Sequence, residues 1–205
     1  MQAVQLLLLM AGASKGLESI CNATESICFG ALGGPVYLRL MTNASGHDLA
    51  VYRGDTVVFN FRNSRSVFYK ESNTTPVLQR WQFVPDNGTL IINPAERRDA
   101  GTYRAEVYEQ STGKGAGYYT VQLIMEAPVS DVGLSIRSMK CSSNGDSLQF
   151  SWSLDGRPVG EADADLSSDN QTILLKGDAT GELTCTASNH VSRANTTITK
   201  QLCSG

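Results

Sequence analysis

The sequence predicts an all-β protein built as two tandem sandwiches, and three observations carry that prediction. Short stretches of period-two alternation recur along the chain, turn residues punctuate them, and the 205-residue length suits two domains of about 100 residues. A hydrophobic fraction of 41% and a charged fraction of 18% belong to an ordinary globular chain, not a disordered one.

The alternating segments are, in order, 36–41, 48–53, 56–61, 102–109, 118–125, 148–152 and 183–188. Turn signals fall where hairpins need them, at Asp86-Asn87-Gly88, Asn144-Gly145-Asp146, Asp155-Gly156 and the glycine-rich 112–117. Residues 88–92 read as a strand and 93–98 as a polar connection. The run Asp99-Ala100-Gly101-Thr102-Tyr103 then has the Asp-x-Gly-x-Tyr form that opens the sixth strand of an immunoglobulin sandwich, where a tyrosine hydroxyl bonds back to the backbone. Alternation sends Tyr103, Ala105 and Val107 inward and Arg104, Glu106 and Tyr108 outward.

A disulfide cysteine normally follows that tyrosine by two residues, yet Ala105 holds the place, and the inward candidate on the second strand is Leu38. The first sandwich, set at 28–126 and of variable type, is therefore predicted without an inter-sheet disulfide. It forgoes the roughly 2–5 kcal/mol that a native bridge supplies. In the second half, Cys141, Trp152 and Cys185 reproduce the Cys…Trp…Cys pattern of a bridged domain. That half, 128–205, is predicted as a constant-type sandwich with its disulfide, although Leu183 stands where a corner tyrosine would be. The boundary falls near Ala127, where Pro128 stops a ladder from continuing.

Residues 1–13 read as a signal peptide, an apolar run ending in the small-x-small Ala11-Gly12-Ala13. Six Asn-x-Ser/Thr sequons, at Asn22, Asn43, Asn73, Asn87, Asn170 and Asn195, point to glycosylation and a secreted, extracellular product in an oxidising compartment. No later apolar run approaches the roughly 18 residues a membrane span requires, so no membrane insertion is expected. A net charge of −3 offers no basic surplus for nucleic acid or an anionic membrane.

Catalytic signals are lacking. The two histidines, His47 in an expected loop and His190 near the end of a strand, have no spacing to cysteine or carboxylate that makes a zinc or nucleophile set. Gly113-Lys114-Gly115-Ala116-Gly117 lacks the Ser/Thr and the strand-to-helix context of a phosphate loop. Asp163, Asp165 and Asp169 form an acidic turn without the glycine and glutamate of a calcium loop. No enzymatic activity, cofactor, metal or small-molecule substrate is expected.

A bridgeless variable-type domain followed by a bridged constant-type domain resembles the signalling lymphocytic activation molecule (SLAM) family and related lymphocyte adhesion receptors. Local sequence is similar too, at Ala31-Leu32-Gly33-Gly34, at Asn87-Gly88-Thr89-Leu90, and from Cys185-Thr186-Ala187-Ser188-Asn189-His190-Val191-Ser192-Arg193 to Cys203. The resemblance covers about residues 28–205. It implies a cell-recognition protein whose first domain meets a family member through the sheet of its third, fourth, sixth and seventh strands.

Two departures mark a diverged copy. The family's second cysteine pair in the second domain is incomplete, because residues 129–140 hold no partner for Cys203, and Val51 replaces the usual third-strand tryptophan. Members are tethered by a helix or lipid, and neither is evident here. The resemblance thus implies a soluble competitor, or decoy, of a receptor's natural ligand. A virus-encoded homologue, a host splice form and a trimmed ectodomain all fit, as does an adhesion protein that self-associates through the same face or through Cys203.

On that face the resemblance and the alternation together assign Asp48, Ala50 and Tyr52 on the third strand, Val58 and Asn60 on the fourth, Arg104, Glu106 and Tyr108 on the sixth, and Tyr118, Thr120 and Gln122 on the seventh. Mixed charge with several tyrosines suits reversible recognition, although an ordinary solvated sheet alternates in the same way. No sequon lies between Ser45 and Ser72 or between Thr89 and Asp169, which leaves those strands bare of sugar. Cys21 and Cys28, ahead of the first expected strand, are close enough to bridge one another, and equally one or both are free.

Overall fold

The computed structural model describes residues 18–69, 79–135, 139–176 and 180–200. The signal peptide expected over 1–13, the sequon at Asn73 and Cys203 lie outside the described residues. The chain divides between Glu126 and Ala127 into two compact units.

The first unit contains β1 (Ser19–Asn22), β2 (Ile27–Ala31), β3 (Val36–Arg39), β4 (His47–Arg53), β5 (Thr56–Arg62), β6 (Arg65–Phe68), β7 (Trp81–Val84), β8 (Thr89–Ile92), β9 (Gly101–Glu109) and β10 (Gly115–Glu126). They form a four-stranded sheet in the order β1-β3-β8-β7 and a six-stranded sheet in the order β2-β10-β9-β4-β5-β6. β5 and β6 beyond β4 give the second sheet its extra strands and make the domain variable-type.

β1 and β2 are one leading strand that changes sheets, pairing parallel with β3 and then parallel with β10. Cys21 and Cys28 sit in these two strands, not ahead of the first one, and they are joined by a disulfide. The domain consequently begins before residue 28. His47, expected in a loop, is the first residue of β4.

Between the two sheets Leu38, Val51 and Ala105 are fully buried, so apolar side chains fill the space where a bridge from second to sixth strand would run. Trp81 of β7, not a third-strand residue, supplies the core tryptophan, 6.2 Å from the Tyr103 ring. Phe59, Phe61 and Phe83 stack in tilted pairs 4.9 and 5.1 Å apart, a favoured aromatic arrangement.

The corner is closed as its sequence predicts. Tyr103 donates its hydroxyl to the Asp99 carbonyl at 2.7 Å. The buried Asp99 carboxylate accepts from Arg80 at 2.7 and 3.0 Å and from the Glu96 amide at 2.7 Å. That hydrogen bond with Asp99 is the main reason the Arg80 guanidinium is held above its ordinary pKa. A buried carboxylate needs this many donors to replace lost water.

The second unit contains β11 (Ser130–Ser135), β12 (Lys140–Asn144), β13 (Gln149–Leu154), β14 (Arg157–Pro158), β15 (Ala164–Leu166), β16 (Ile173–Leu175), β17 (Gly181–Ser188) and β18 (Arg193–Lys200). One sheet runs β14-β13-β17-β18. Opposite it lie the pairs β11-β12 and β15-β16, linked by a bridge between Lys140 and Thr172. Cys141 of β12 and Cys185 of β17 join the two layers, and Trp152 packs in the same core while donating its indole N–H to the Asn170 carbonyl at 2.7 Å.

Asp155 and Gly156 both adopt positive φ, 51° and 76°, in the two-residue turn from β13 to β14, the geometry a tight hairpin requires. Asn144-Gly145-Asp146, expected to close a hairpin, instead carries the chain from one layer to the other, from β12 to β13. Asn189 ties this end together: its amide donates to the carbonyls of Ala127 and Asp146 at 2.8 and 2.9 Å, and its oxygen accepts from the Ser192 amide at 2.9 Å.

Candidate recognition face

The outer surface of the six-stranded sheet collects the residues the sequence assigns to binding, and the ladder register sets them in rows. One row runs Val67, Asn60, Ala50, Glu106, Tyr118, and the next Val57, Tyr52, Arg104, Thr120. Asp48 lies opposite Tyr108, and Gln122 sits nearer the β2 edge, opposite Ile27. Tyr118 is 63% exposed, the most open aromatic of the face, while Thr120 and Gln122 are also exposed.

Val58 is not part of this surface. Its side chain is 2% exposed and packs in the core. The register shifts between Val51 and Tyr52, which pair with Phe59 and Val57, so Val58 is the extra residue of a bulge. A bulge reverses the phase of alternation, and Val57 takes the outward place beside Tyr52. Val67, 47% exposed, and Tyr69, 41% exposed, also belong to the face, and the Tyr69 hydroxyl accepts from Asn60 at 3.0 Å. Val67 lies on the four-residue β6 and Tyr69 just beyond its end, too short a run for alternation to single them out.

A connected polar cluster occupies the middle. The Arg104 guanidinium lies 4.0 Å over the Tyr52 ring and pairs with Glu106 at 2.8 Å. Glu106 also accepts from Tyr108 at 2.8 Å and from Tyr52 at 3.4 Å. The bond to Glu106 is the chief reason the Tyr108 phenol is pushed above its ordinary pKa, since ionising it would place a second negative charge beside the carboxylate. These contacts hold three tyrosine and arginine side chains in fixed positions, so little rotamer freedom remains to be lost on docking. Ala50 leaves a low floor beside the cluster, and one carboxylate oxygen of the half-buried Asp48 is itself buried with no hydrogen-bond partner among the described residues. Arg62 approaches the other oxygen at 3.9 Å.

The described sequons lie outside the strands of this sheet. Asn22 ends β1 of the opposite sheet, Asn43 lies between β3 and β4, and Asn87 lies in the turn between β7 and β8. None of the six strands of the sheet contains a sequon.

The other polar clusters are self-contained. Asp163 accepts from the Gly160 amide and pairs with Arg157, Asp165 pairs with Lys176, and Asp169 accepts from Ser167 and the Gln171 amide, so each carboxylate serves its own turn. Gly113 has a φ of 67° in the turn from β9 to β10. No group of three or more metal-ligating side chains occurs among the described residues, and no helix among them is long and apolar enough to cross a membrane.

No protein-family profile and no curated protein sequence matches the chain. Among solved structures it is similar to the CD2-binding domain of CD58 (lymphocyte function-associated antigen 3), with a TM-score of 0.64 and 14% identity over 87% of this chain and 99% of that one. It is similar to murine CEACAM1b, with a TM-score of 0.62 and 19% identity over 84% of this chain and 94% of that one. A chain from the complex of a mouse coronavirus receptor-binding domain with its murine receptor gives 0.61 and 18%, over 85% and 96%. At these identities the likeness is one of fold: two tandem immunoglobulin-like sandwiches, the first variable-type without a bridge from second to sixth strand, the second bridged.

Proposed function

We propose that this chain is an extracellular recognition protein whose first domain docks a SLAM-family or related lymphocyte receptor through the outer face of the six-stranded sheet, competing there with the receptor's natural ligand. The observation that carries the reading is the preorganised Tyr52-Arg104-Glu106-Tyr108 cluster at the centre of a sheet face that holds no sequon. Rigid tyrosine and arginine side chains are favoured interface anchors, and paired charges give orientation and fast encounter. The local sequence resemblance points to the lymphocyte receptors as the partner class, and a fold shared with a CD2-binding domain is in keeping with it.

Self-association through the same face is a second reading, favoured by the alternation of Arg104 and Glu106 along β9. A two-fold axis across the sheet would set each residue against its opposite on the second copy. Light scattering separates the two readings: a dimer supports self-association, and a monomer that binds a foreign receptor supports competition.

The test is surface-plasmon binding of the folded chain to a panel of SLAM-family and related adhesion ectodomains, with Arg104→Glu and Glu106→Arg alongside. Saturable binding to one member, blocked by that member's ligand and weakened at least tenfold by either reversal, is the expected result. Unchanged binding by both variants removes the face from consideration. Silence across the panel redirects the search to other leukocyte surfaces.

A further inference from the structure

The four-stranded sheet of the first domain carries an apolar row on its outer surface. Ladder register aligns Ile20 of β1 with Tyr37 of β3 and Ile91 of β8. Ile20 is 45% exposed, Tyr37 and Ile91 are half-buried, and their strand neighbours on either side point into the core. The row is one residue wide, ending at the exposed Gln82 on one side and flanked by the exposed Arg39. A surface so narrow falls far short of the roughly 800 Å² per partner of a standard protein interface. Apolar side chains aligned across three strands still call for a cover.

The same strand supplies one. Asn22 follows Ile20 by two residues and so points to the same side of the sheet, about 7 Å along β1, opposite Arg39. It is the acceptor of the sequon Asn22-Ala23-Thr24, and Thr24 is exposed. Its Nδ2 donates to Glu25 at 3.2 Å. A glycosylated amide keeps one N–H, so that bond can survive and fix the direction in which a sugar leaves the strand.

We infer that Asn22 carries an N-linked glycan whose first N-acetylglucosamine residues lie back over the Ile20-Tyr37-Ile91 row, the apolar face of the sugar ring on the tyrosine and the isoleucines and its hydroxyls toward Arg39. This sugar covers the sheet opposite the recognition face and leaves that face free. The inference rests on the secretory route adopted above, and it goes beyond the partner assignment.

The chain should be produced by a secreting eukaryotic cell and each sequon read by peptide mass spectrometry. Occupancy at Asn22 is expected. Occupied Asn43 and Asn87 with an empty Asn22 overturns this inference alone, whereas six empty sequons overturn the secretory reading itself. Thr24→Ala then removes only this glycan and keeps the Asn22 to Glu25 bond. Its loss should lower the melting temperature of the first domain by about 3 °C, and by a negligible amount when Ile20→Ser has already broken the row. Equal shifts in both backgrounds mean that the sugar does not pack on the row. Should Ile20→Ser fail to fold, fluorescence of 1-anilinonaphthalene-8-sulfonate decides: Thr24→Ala should raise it several-fold over the glycosylated chain, and an unchanged signal overturns the packing.

Discussion

At the centre of the second domain, the sulfurs of Cys141 and Cys185 span the layers beside Trp152. At the corresponding places of the first, on β3 and β9, stand Leu38 and Ala105, both buried. The first domain compensates at its edges. Arg80, Glu96, Asp99 and Tyr103 lock one end of the sandwich with charge-assisted hydrogen bonds, and Cys21–Cys28 fastens the strand that passes from one sheet to the other. The second domain has no such corner, since buried Leu183 occupies the tyrosine's place. One covalent bond across the core and a polar clamp at the rim are thus two solutions to holding sheets together.

Breaking the core bridge should have the largest effect. Cys141 and Cys185 are 44 positions apart, and a loop of that length corresponds to about 4 kcal/mol of denatured-state entropy. Replacing both by alanine should unfold or severely destabilise the second domain in a calorimetric scan while leaving the transition of the first in place. Joint loss of both transitions would show that the two units do not melt separately.

The polar clamp comes next. Arg80→Ala leaves the Asp99 carboxylate, 2% exposed, without its ion pair, and the expected loss in the first domain is about 3 kcal/mol. Arg80→Met combined with Asp99→Asn should cost less than Arg80→Ala alone, because no uncompensated charge then remains buried. Chemical denaturation of the three proteins tests that order, and a double variant worse than the single would place the energy in geometry instead of charge.

Cys21→Ser with Cys28→Ser closes the comparison of bridges. The separation of seven residues corresponds to about 2.5 kcal/mol, less than the long loop of the second domain. The expected outcome is a folded but less stable first domain that still binds its partner, because β4, β5, β9 and β10 keep their ladder without β2. Tyr103→Phe is smaller again, about 1 kcal/mol for one buried hydroxyl bond.

Much of this contrast is legible in the residues. Asp99 to Tyr103 fixes the corner, Ala105 and Leu38 mark the missing bridge, and Cys141, Trp152 and Cys185 mark the present one. Outward positions on β4 and β9, and on β10 from Tyr118 onward, follow from period two because the register shift of β10, between Gly115 and Gly117, falls ahead of them. The reading slips where something local resets the phase. One bulge residue buries Val58 and turns Val57 outward, and no residue type in Thr56-Val57-Val58-Phe59 announces it. The leading strand that holds Cys21 and Cys28 escapes because each half is only four or five residues long and owes its place to parallel neighbours distant in sequence. Asn189 is hidden for a different reason: its role depends on two carbonyls, of Ala127 and Asp146, that only folding brings within reach.

The smallest predicted effect concerns acid, and it sharpens the contrast between rim and core. In the second domain Asp163 lies on the surface, where the Gly160 amide, and after it Arg157, hold its carboxyl below the ordinary carboxylate range. A group whose folded pKa is lowered stabilises the folded state above its unfolded pKa of about 3.9, and that contribution fades as pH falls through the folded value. Asp163→Asn should therefore match wild type at low pH and lose slightly at neutral pH, read as converging denaturation midpoints between pH 7 and pH 3. Exposure to water keeps this contribution small, so the bridged domain should stay folded over that range.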